Sequence, residues 1–259
     1  MQTESFNPTS RLLAWEASLN TRELGGYSLR GGRRTRWKTL VRSENLNILT
    51  GAGQSALIDY GIRTVIDLRF KSELDQWPNP FFDPVRRGPD GLDFVHNSLE
   101  VDQDLVWQPG QDPSEAMSDM YIRLLETNRG YIAGALTAMA YARPGGVIFH
   151  CHAGKDRTGL VAAMTLGALG ASTEIIISDY SFVTPALKER LRQELSGPTI
   201  PEEKREYLMT LYTALPDTMR RTLAYLKKEY GGLEGYLTTT TLKTRDIAAL
   251  RERYTEPRI

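Results

Sequence analysis

The sequence predicts an α/β fold with a helical C-terminal portion, and three observations carry that reading. Short apolar β-branched runs, "RTVIDLR" (63–69) and "VIFH" (147–150), alternate with segments of helical spacing through the first two thirds of the chain. Both runs end in polar residues, as buried strands do when they feed a loop. From residue 172 onward nearly everything has helical spacing. The 259 residues, 41% hydrophobic and 25% charged, suit a short N-terminal arm (1–19) and a single domain (20–259).

The elements follow in order. Leu12, Leu13, Trp15 and Leu19 give the arm apolar residues to pack. Gly25-Gly26 and Gly31-Gly32 supply tight turns, and the alternation around Trp37, Leu40 and Val41 predicts short strands. A helix is expected over about 51–60, stopped by Gly61. Residues 75–93 hold four prolines and two glycines and read as a surface loop, with a strand near Phe94-Val95. Helical spacing then runs through 114–142 and ends at Pro144-Gly145-Gly146. After the strand "VIFH", "RTGLVAAMTLGALG" is an apolar helix closed by Gly170. The helical remainder is broken by Gly197-Pro198, Pro216, Gly231-Gly232 and the Thr238–Thr241 run, and 184–230 is a candidate helical lid.

Composition excludes several classes. The 32 basic residues equal the 32 acidic ones, which argues against nucleic acid or a membrane surface as partner, so any attraction to anions is local. No apolar run approaches the roughly 18 residues of a membrane span, so no transmembrane segment is expected. The polar start lacks a basic-then-apolar leader, which predicts a cytoplasmic protein, although leaderless export would leave no trace. One cysteine rules out an intrachain disulfide framework.

That cysteine lies in "VIFHCHAGKDRTGL" (147–160), between a strand and a helix. Such a junction points backbone N–H groups and the positive end of the helix dipole into one hollow. Gly154 permits the tight turn, and Arg157, six residues after Cys151, curls back with paired donors that fit two phosphate oxygens. The same field, with Lys155, favours Cys151 as a thiolate set to attack a phosphate monoester. His150 is expected to fix the loop through hydrogen bonds and His152 to lend its backbone N–H. The two histidines do not suit a metal, because neighbours in one tight loop rarely aim at one ion and no further Cys/His cluster completes a ligand set. A phospho-ligand binding module and a sulfur-transfer or arsenate-reducing enzyme are the competing readings of such a loop, and arsenate reduction generally needs further cysteines.

"HCHAGKDRTG" resembles the signature of cysteine-based protein tyrosine phosphatases, H-C-x5-R-[ST]. Its "AGKDRTG" form is similar to that of a bacterial and fungal group of tyrosine and phosphoinositide phosphatases, the PtpB-like enzymes. "NTRELGGY", "LVRSENL", "VIDLR", "ISDYSFV" and "GGLEGYL" match that group in order, from about residue 20 to 255. Glu23 stands where aspartate is usual, and the Thr238–Thr241 run replaces a glycine-containing turn. The resemblance implies a tyrosine phosphatase-like fold, a central mostly parallel sheet flanked by helices, with no cofactor or metal. It implies Cys151 as nucleophile and His152, Ala153, Gly154, Lys155, Asp156, Arg157 and Thr158 as the phosphate-binding P-loop, with Thr158 assisting breakdown of a phosphocysteine. Substrates would be phosphotyrosine proteins, with dual-specificity or phosphoinositide breadth, and inorganic phosphate the product. Lys155 would meet an additional phosphate or a nearby acidic group, the alternative being a solvated loop lysine that acts on Cys151 only through its charge.

The proton donor to the leaving group is open. The Trp-Pro-Asp triplet of many tyrosine phosphatases is replaced by "WPN" (77–79), so Asp156 is the preferred acid and Asp112 and Asp104 its rivals. Asp67 is expected to accept hydrogen bonds at its strand end. Arg22 and Arg42 are expected to pair with interior carboxylates, the alternatives being to hold the loop or reach substrate.

Overall fold

The computed structural model describes residues 8–82, 91–99, 111–182, 184–195, 205, 208, 209 and 213–258. In chain order the strands are β1 (Arg22–Glu23), β2 (Ser28–Leu29), β3 (Arg33–Thr35), β4 (Leu40–Ser43), β5 (Ile62–Asp67), β6 (Asp93–His96), β7 (Gly146–His150) and β8 (Thr255–Pro257). The helices are α1 (Gly51–Tyr60), α2 (Lys71–Gln76), α3 (Pro113–Thr127), α4 (Arg129–Ala140), α5 (Asp156–Leu169), α6 (Thr173–Ser181), α7 (Pro185–Leu195), α8 (Pro216–Tyr230), α9 (Leu233–Thr238) and α10 (Thr244–Tyr254).

The central sheet has the order β1-β4-β7-β5-β6, parallel throughout except for β1. Successive side chains of a strand point to opposite faces, and here both faces are covered. Leu40, Ile66, Val147 and Phe149 enter the larger apolar cluster, with Tyr121, Leu136 and Leu160. Val41, Val65 and Ile148 enter the smaller one, with Trp15, Leu57 and Phe81. Burial on both sides explains why these strands read as continuous apolar runs rather than as polar–apolar alternation. A second small sheet, β2-β3-β8, ties the C-terminus to the early chain.

α1 begins at its Thr50 cap, whose hydroxyl accepts from Gly53 N–H, and stops at Gly61 in the left-handed region. α5 is buried from Thr158 to Leu169 on every side, which accounts for its apolar character all round. Three boundaries differ from the sequence reading. The stretch 114–142 is two helices, because Asn128 closes α3 through its N–H and Nδ2 on the Leu124 carbonyl and then precedes α4. The expected loop at 75–93 starts inside α2, whose Glu73 accepts from Phe70 N–H and so stabilises the first turn. The terminal strand β8 follows α10 and carries too short a pattern to be read.

The Thr238–Thr241 run closes α9 without a glycine: the hydroxyls of Thr238, Thr239 and Thr240 turn back to the carbonyls of Gly235, Tyr236 and Leu237, each at 2.7 Å. Leu237 before it and Leu242 and Leu250 beyond it are buried in the larger cluster. α8 lies within the span read as a lid, yet its Met219 and Leu226 are fully buried in that same cluster, so this helix is part of the body. The arm is anchored too, with Trp15 edge-on to Tyr60 and Leu19 and Asn20 N–H donating to Glu44.

Candidate active site

The parallel strands end together. Register places Ser43 beside His150, His150 beside Asp67, and Asp67 beside His96, so four loops leave from one edge. The carboxyl edge of such a sheet is where side chains from distant parts of a sequence converge, and Cys151 is the first residue past it on β7.

The loop 151–155 is built so that its amides face inward. A trans peptide sends its C=O and the following N–H in opposite directions, and three carbonyls of the loop are held from outside. His150 Nδ1 donates to Cys151 O at 3.1 Å, Asn45 N–H donates to His152 O at 2.9 Å, and Arg42 Nη2 donates to Gly154 O at 2.7 Å. The amides of His152, Ala153 and Lys155 therefore point the other way, into the hollow. Gly154 is left-handed, with φ 67°. A Cβ there would lie 2.6 Å from Ser43 O, so both conformation and space demand glycine. No side chain caps the start of α5, and its first amides add the helix dipole to the same concavity. These groups together form an anion nest.

Cys151 lies at its floor, 2% exposed, with the larger apolar cluster behind it. Arg157 sits across the loop, within electrostatic reach of the cysteine. Burial opposes its charge, but Glu73, Cys151 and Asp156 more than compensate and raise its pKa. Its Nη1 and Nη2 bind the two oxygens of Glu73 at 2.5 and 2.9 Å, and Phe70 lies under the guanidinium 4.6 Å from its centre. Glu73 thus fixes the end of the guanidinium and leaves the Nε side free to meet a ligand. Burial would raise the Glu73 pKa, but Arg157 outweighs it and holds it below the usual carboxylate value.

Asp156 is partly exposed and its Oδ1 accepts from Tyr121 OH at 2.6 Å and meets Lys155 Nζ at 2.9 Å. Lys155 is itself buried rather than solvated, and its ammonium meets the acidic neighbour Asp156. Tyr121 OH also contacts Tyr180 OH at 2.9 Å. Burial, with the Asp156 charge beside it, pushes the Tyr121 pKa well above the ordinary value. Thr158 is fully buried at the first turn of α5, its hydroxyl without a hydrogen-bond partner among the described residues.

His150 does the bracing expected of it. Its Nδ1 donates to Cys151 O, and its Nε2 lies 2.9 Å from Asn79 Nδ2 and 3.3 Å from Asp67 Oδ2. Asn79 also donates to Asp67 at 3.0 Å, which gives the last residue of "WPN" a supporting role rather than an acidic one. Asp67 accepts from Arg69 N–H, Nε and Nη2. Burial would raise its pKa, but His150 and Arg69 hold it far below the ordinary carboxylate range. Asp112 caps α3, accepting from Glu115 N–H at 2.9 Å, and Asp104 lies outside the described residues. Arg22 and Arg42 both pair with buried Asp179 of α6. The His152 ring lies tilted against Trp77, with centroids 4.9 Å apart.

Glu73, Asn79, Tyr121, Asp179 and Tyr180 escape the sequence reading as site residues. Glu73 carried one usable signal, a carboxylate at the third position of a helix that leaves the same strand edge. Tyr121 sits within an apolar helical stripe and looks like core, which it also is.

A nest of inward amides closed by an arginine six residues after a cysteine suits an anion such as a phosphate. The model of the tyrosine phosphatase family matches residues 13–256, and the chain belongs to that family of enzymes. A tyrosine-protein phosphatase of Nostoc commune is 27% identical over 226 residues, covering 82% of this chain and 73% of its own. The triple specificity protein phosphatase PtpB of Mycobacterium tuberculosis is 26% identical over 270 residues, covering 86% and 91%. The solved structure of TpbA from P. aeruginosa covers 74% of this chain and 91% of its own at 17% identity with a TM-score of 0.32, too distant to carry an argument. No helix among the described residues is long and apolar enough to cross a membrane.

Proposed function

We propose that this enzyme hydrolyses phosphotyrosine in proteins through a phosphocysteine on Cys151. The observation that carries the reading is the set of three loop carbonyls tied outward, which turns the amides of His152, Ala153 and Lys155 toward one anion above the sulfur. The thiolate attacks phosphorus, the bond from phosphorus to the tyrosine oxygen breaks, and the leaving oxygen takes a proton from Asp156. Oδ1 of Asp156 is engaged by Tyr121 and Lys155, so Oδ2 meets the leaving group. Water then attacks phosphorus with Asp156 as base, the sulfur–phosphorus bond breaks, and inorganic phosphate departs. Arg157 and the loop amides hold the phosphoryl oxygens in both steps, and Thr158 donates its hydroxyl to the departing sulfur.

A free nucleophilic thiol suits a reducing compartment, which supports a cytoplasmic location. Phosphoinositide hydrolysis would draw on Lys155 as the contact to an additional phosphate, but its ammonium is turned to Asp156, and phosphotyrosine is therefore the preferred substrate. The M. tuberculosis relative is named a triple specificity protein phosphatase, which supports a substrate range wider than phosphotyrosine alone. One panel of phosphotyrosine, phosphoserine and phosphothreonine peptides and phosphoinositides at matched concentration tests this. The highest kcat/KM is expected on phosphotyrosine; a phosphoinositide leading the panel would reverse the preference.

A further inference from the structure

Behind the loop lies a buried charge cluster centred on Asp179. Asp179 of α6 receives Arg42 Nη1, Tyr27 OH at 3.0 Å and Arg22 Nε at 3.4 Å, and all four side chains are buried. Two guanidinium groups face this one carboxylate. Burial and the neighbouring Arg42 charge pull Arg22 down to about 10, while Arg42 and Arg22 outweigh the burial of Asp179 and keep it below the ordinary carboxylate range. A pair alone would satisfy Asp179, so the second arginine needs a reason.

Arg42 supplies it. One nitrogen goes to Asp179 and the other to the Gly154 carbonyl at 2.7 Å. A Cβ on Gly159 would be 3.6 Å from that same Nη2, so the guanidinium lies beneath the hollow, between the loop and the start of α5. Arg22 is placed differently. Its remaining donors go to Asn20 O and Oδ1 at 3.2 and 3.0 Å and to the Asp179 carbonyl at 2.9 Å, none of them on the loop.

We infer that Asp179 and Arg42 are positioning residues of the phosphate loop: Asp179 aims Arg42, and Arg42 turns the Gly154–Lys155 peptide so that the Lys155 amide faces the bound phosphate. The inference rests on the phosphatase reading above and extends its site to β4 and α6. A guanidinium is required because one planar fork must bond two acceptors in fixed directions, which an ammonium does not reproduce.

Arg42→Lys and Arg22→Lys form the test, since both disturb the same buried cluster and only the first touches the loop. Each is compared with the unmodified enzyme for kcat, KM and inhibition by inorganic phosphate and orthovanadate. Arg42→Lys is expected to weaken both anions and lower kcat by roughly ten- to a hundredfold, short of the loss from deleting an oxyanion donor outright. Arg22→Lys is expected to stay within about threefold, as for a buried pair remote from the anion. Equal effects from the two, or an unchanged Arg42→Lys, would overturn the inference. Should Arg42→Lys not fold, the unmutated protein decides: in an amide NMR titration with inorganic phosphate the Lys155 resonance must move with those of His152 and Ala153. Movement of the other two without Lys155 would overturn the assignment. Movement of none would remove the phosphatase reading and this inference with it.

Discussion

Arg157→Lys is the substitution whose effect follows most fully from the geometry. A guanidinium carries five N–H donors, and Glu73 takes two of them through Nη1 and Nη2. The three left over, with Nε on the free side, are what a phosphoryl group meets. Lysine offers a single ammonium, and Glu73, already at salt-bridge distance, draws it away from the hollow. Fold stability should change little, because an ion pair with Glu73 survives. Catalysis should not survive intact: loss of a preorganised oxyanion donor costs about 2.7–4 kcal/mol, or roughly 10²–10³ in kcat. KM should rise as well, since the same donors hold the ground-state phosphate. The assay is steady-state hydrolysis of para-nitrophenyl phosphate and of a phosphotyrosine peptide, with a thermal melt as control. A kcat within about tenfold of the parent, in a protein of unchanged melt, would refute the claim that paired donors are required.

Further outcomes follow from single contacts. Asp156→Asn should lower kcat by about 10²–10³ on a phosphotyrosine peptide, as loss of a general acid does, and by less on para-nitrophenyl phosphate, whose leaving group needs less protonation. Tyr121→Phe, which removes the 2.6 Å bond to Asp156, should give a smaller loss with the same bias toward the phosphotyrosine peptide; equal losses on both esters would count against Asp156 as the acid. Gly154→Ala should cost at least about 1–3 kcal/mol from its left-handed conformation alone, with the clash at Ser43 O in addition, and a melt unchanged from the parent would contradict the loop geometry. Asp67, whose folded pKa is depressed, contributes stability that is fully present above its unfolded value of about 3.9 and is lost progressively as pH falls from there toward the folded value. Asp67→Asn should therefore lower the urea midpoint strongly near neutral pH and by less near pH 2, where the parent has already lost part of that contribution; an equal shift at both would contradict the assignment.

The loop and both long inner strands were legible because their signals are local. "RTVIDLR" and "VIFH" are short runs bounded by polar residues, and Cys151, Gly154 and Arg157 lie within seven positions of one another. The pairing of Arg22 and Arg42 with an interior carboxylate was also readable from type and setting, though not which carboxylate, since Asp179 is 137 residues from Arg42 and meets it only after α6 packs. Glu73 reaches Arg157 across 84 residues, and nothing in the periodicity of either segment marks that contact. Tyr121 and Tyr180 were hidden by their own burial, because apolar rings in a core stripe look alike whether or not a hydroxyl is used. The break at Asn128 was missed for a related reason: hydrophobic spacing continues through it, while the side-chain bond that ends α3 is visible only in three dimensions.

The central claim is a covalent bond between phosphorus and one sulfur. Rapid acid quench during turnover of a phosphotyrosine peptide, followed by mass spectrometry of the peptide spanning residues 147–160, measures it. One phosphoryl group on Cys151, formed with a burst of released tyrosine and absent from Cys151→Ser, is the expected result. Undiminished turnover by Cys151→Ser would show that the sulfur at the floor of the nest is not the nucleophile.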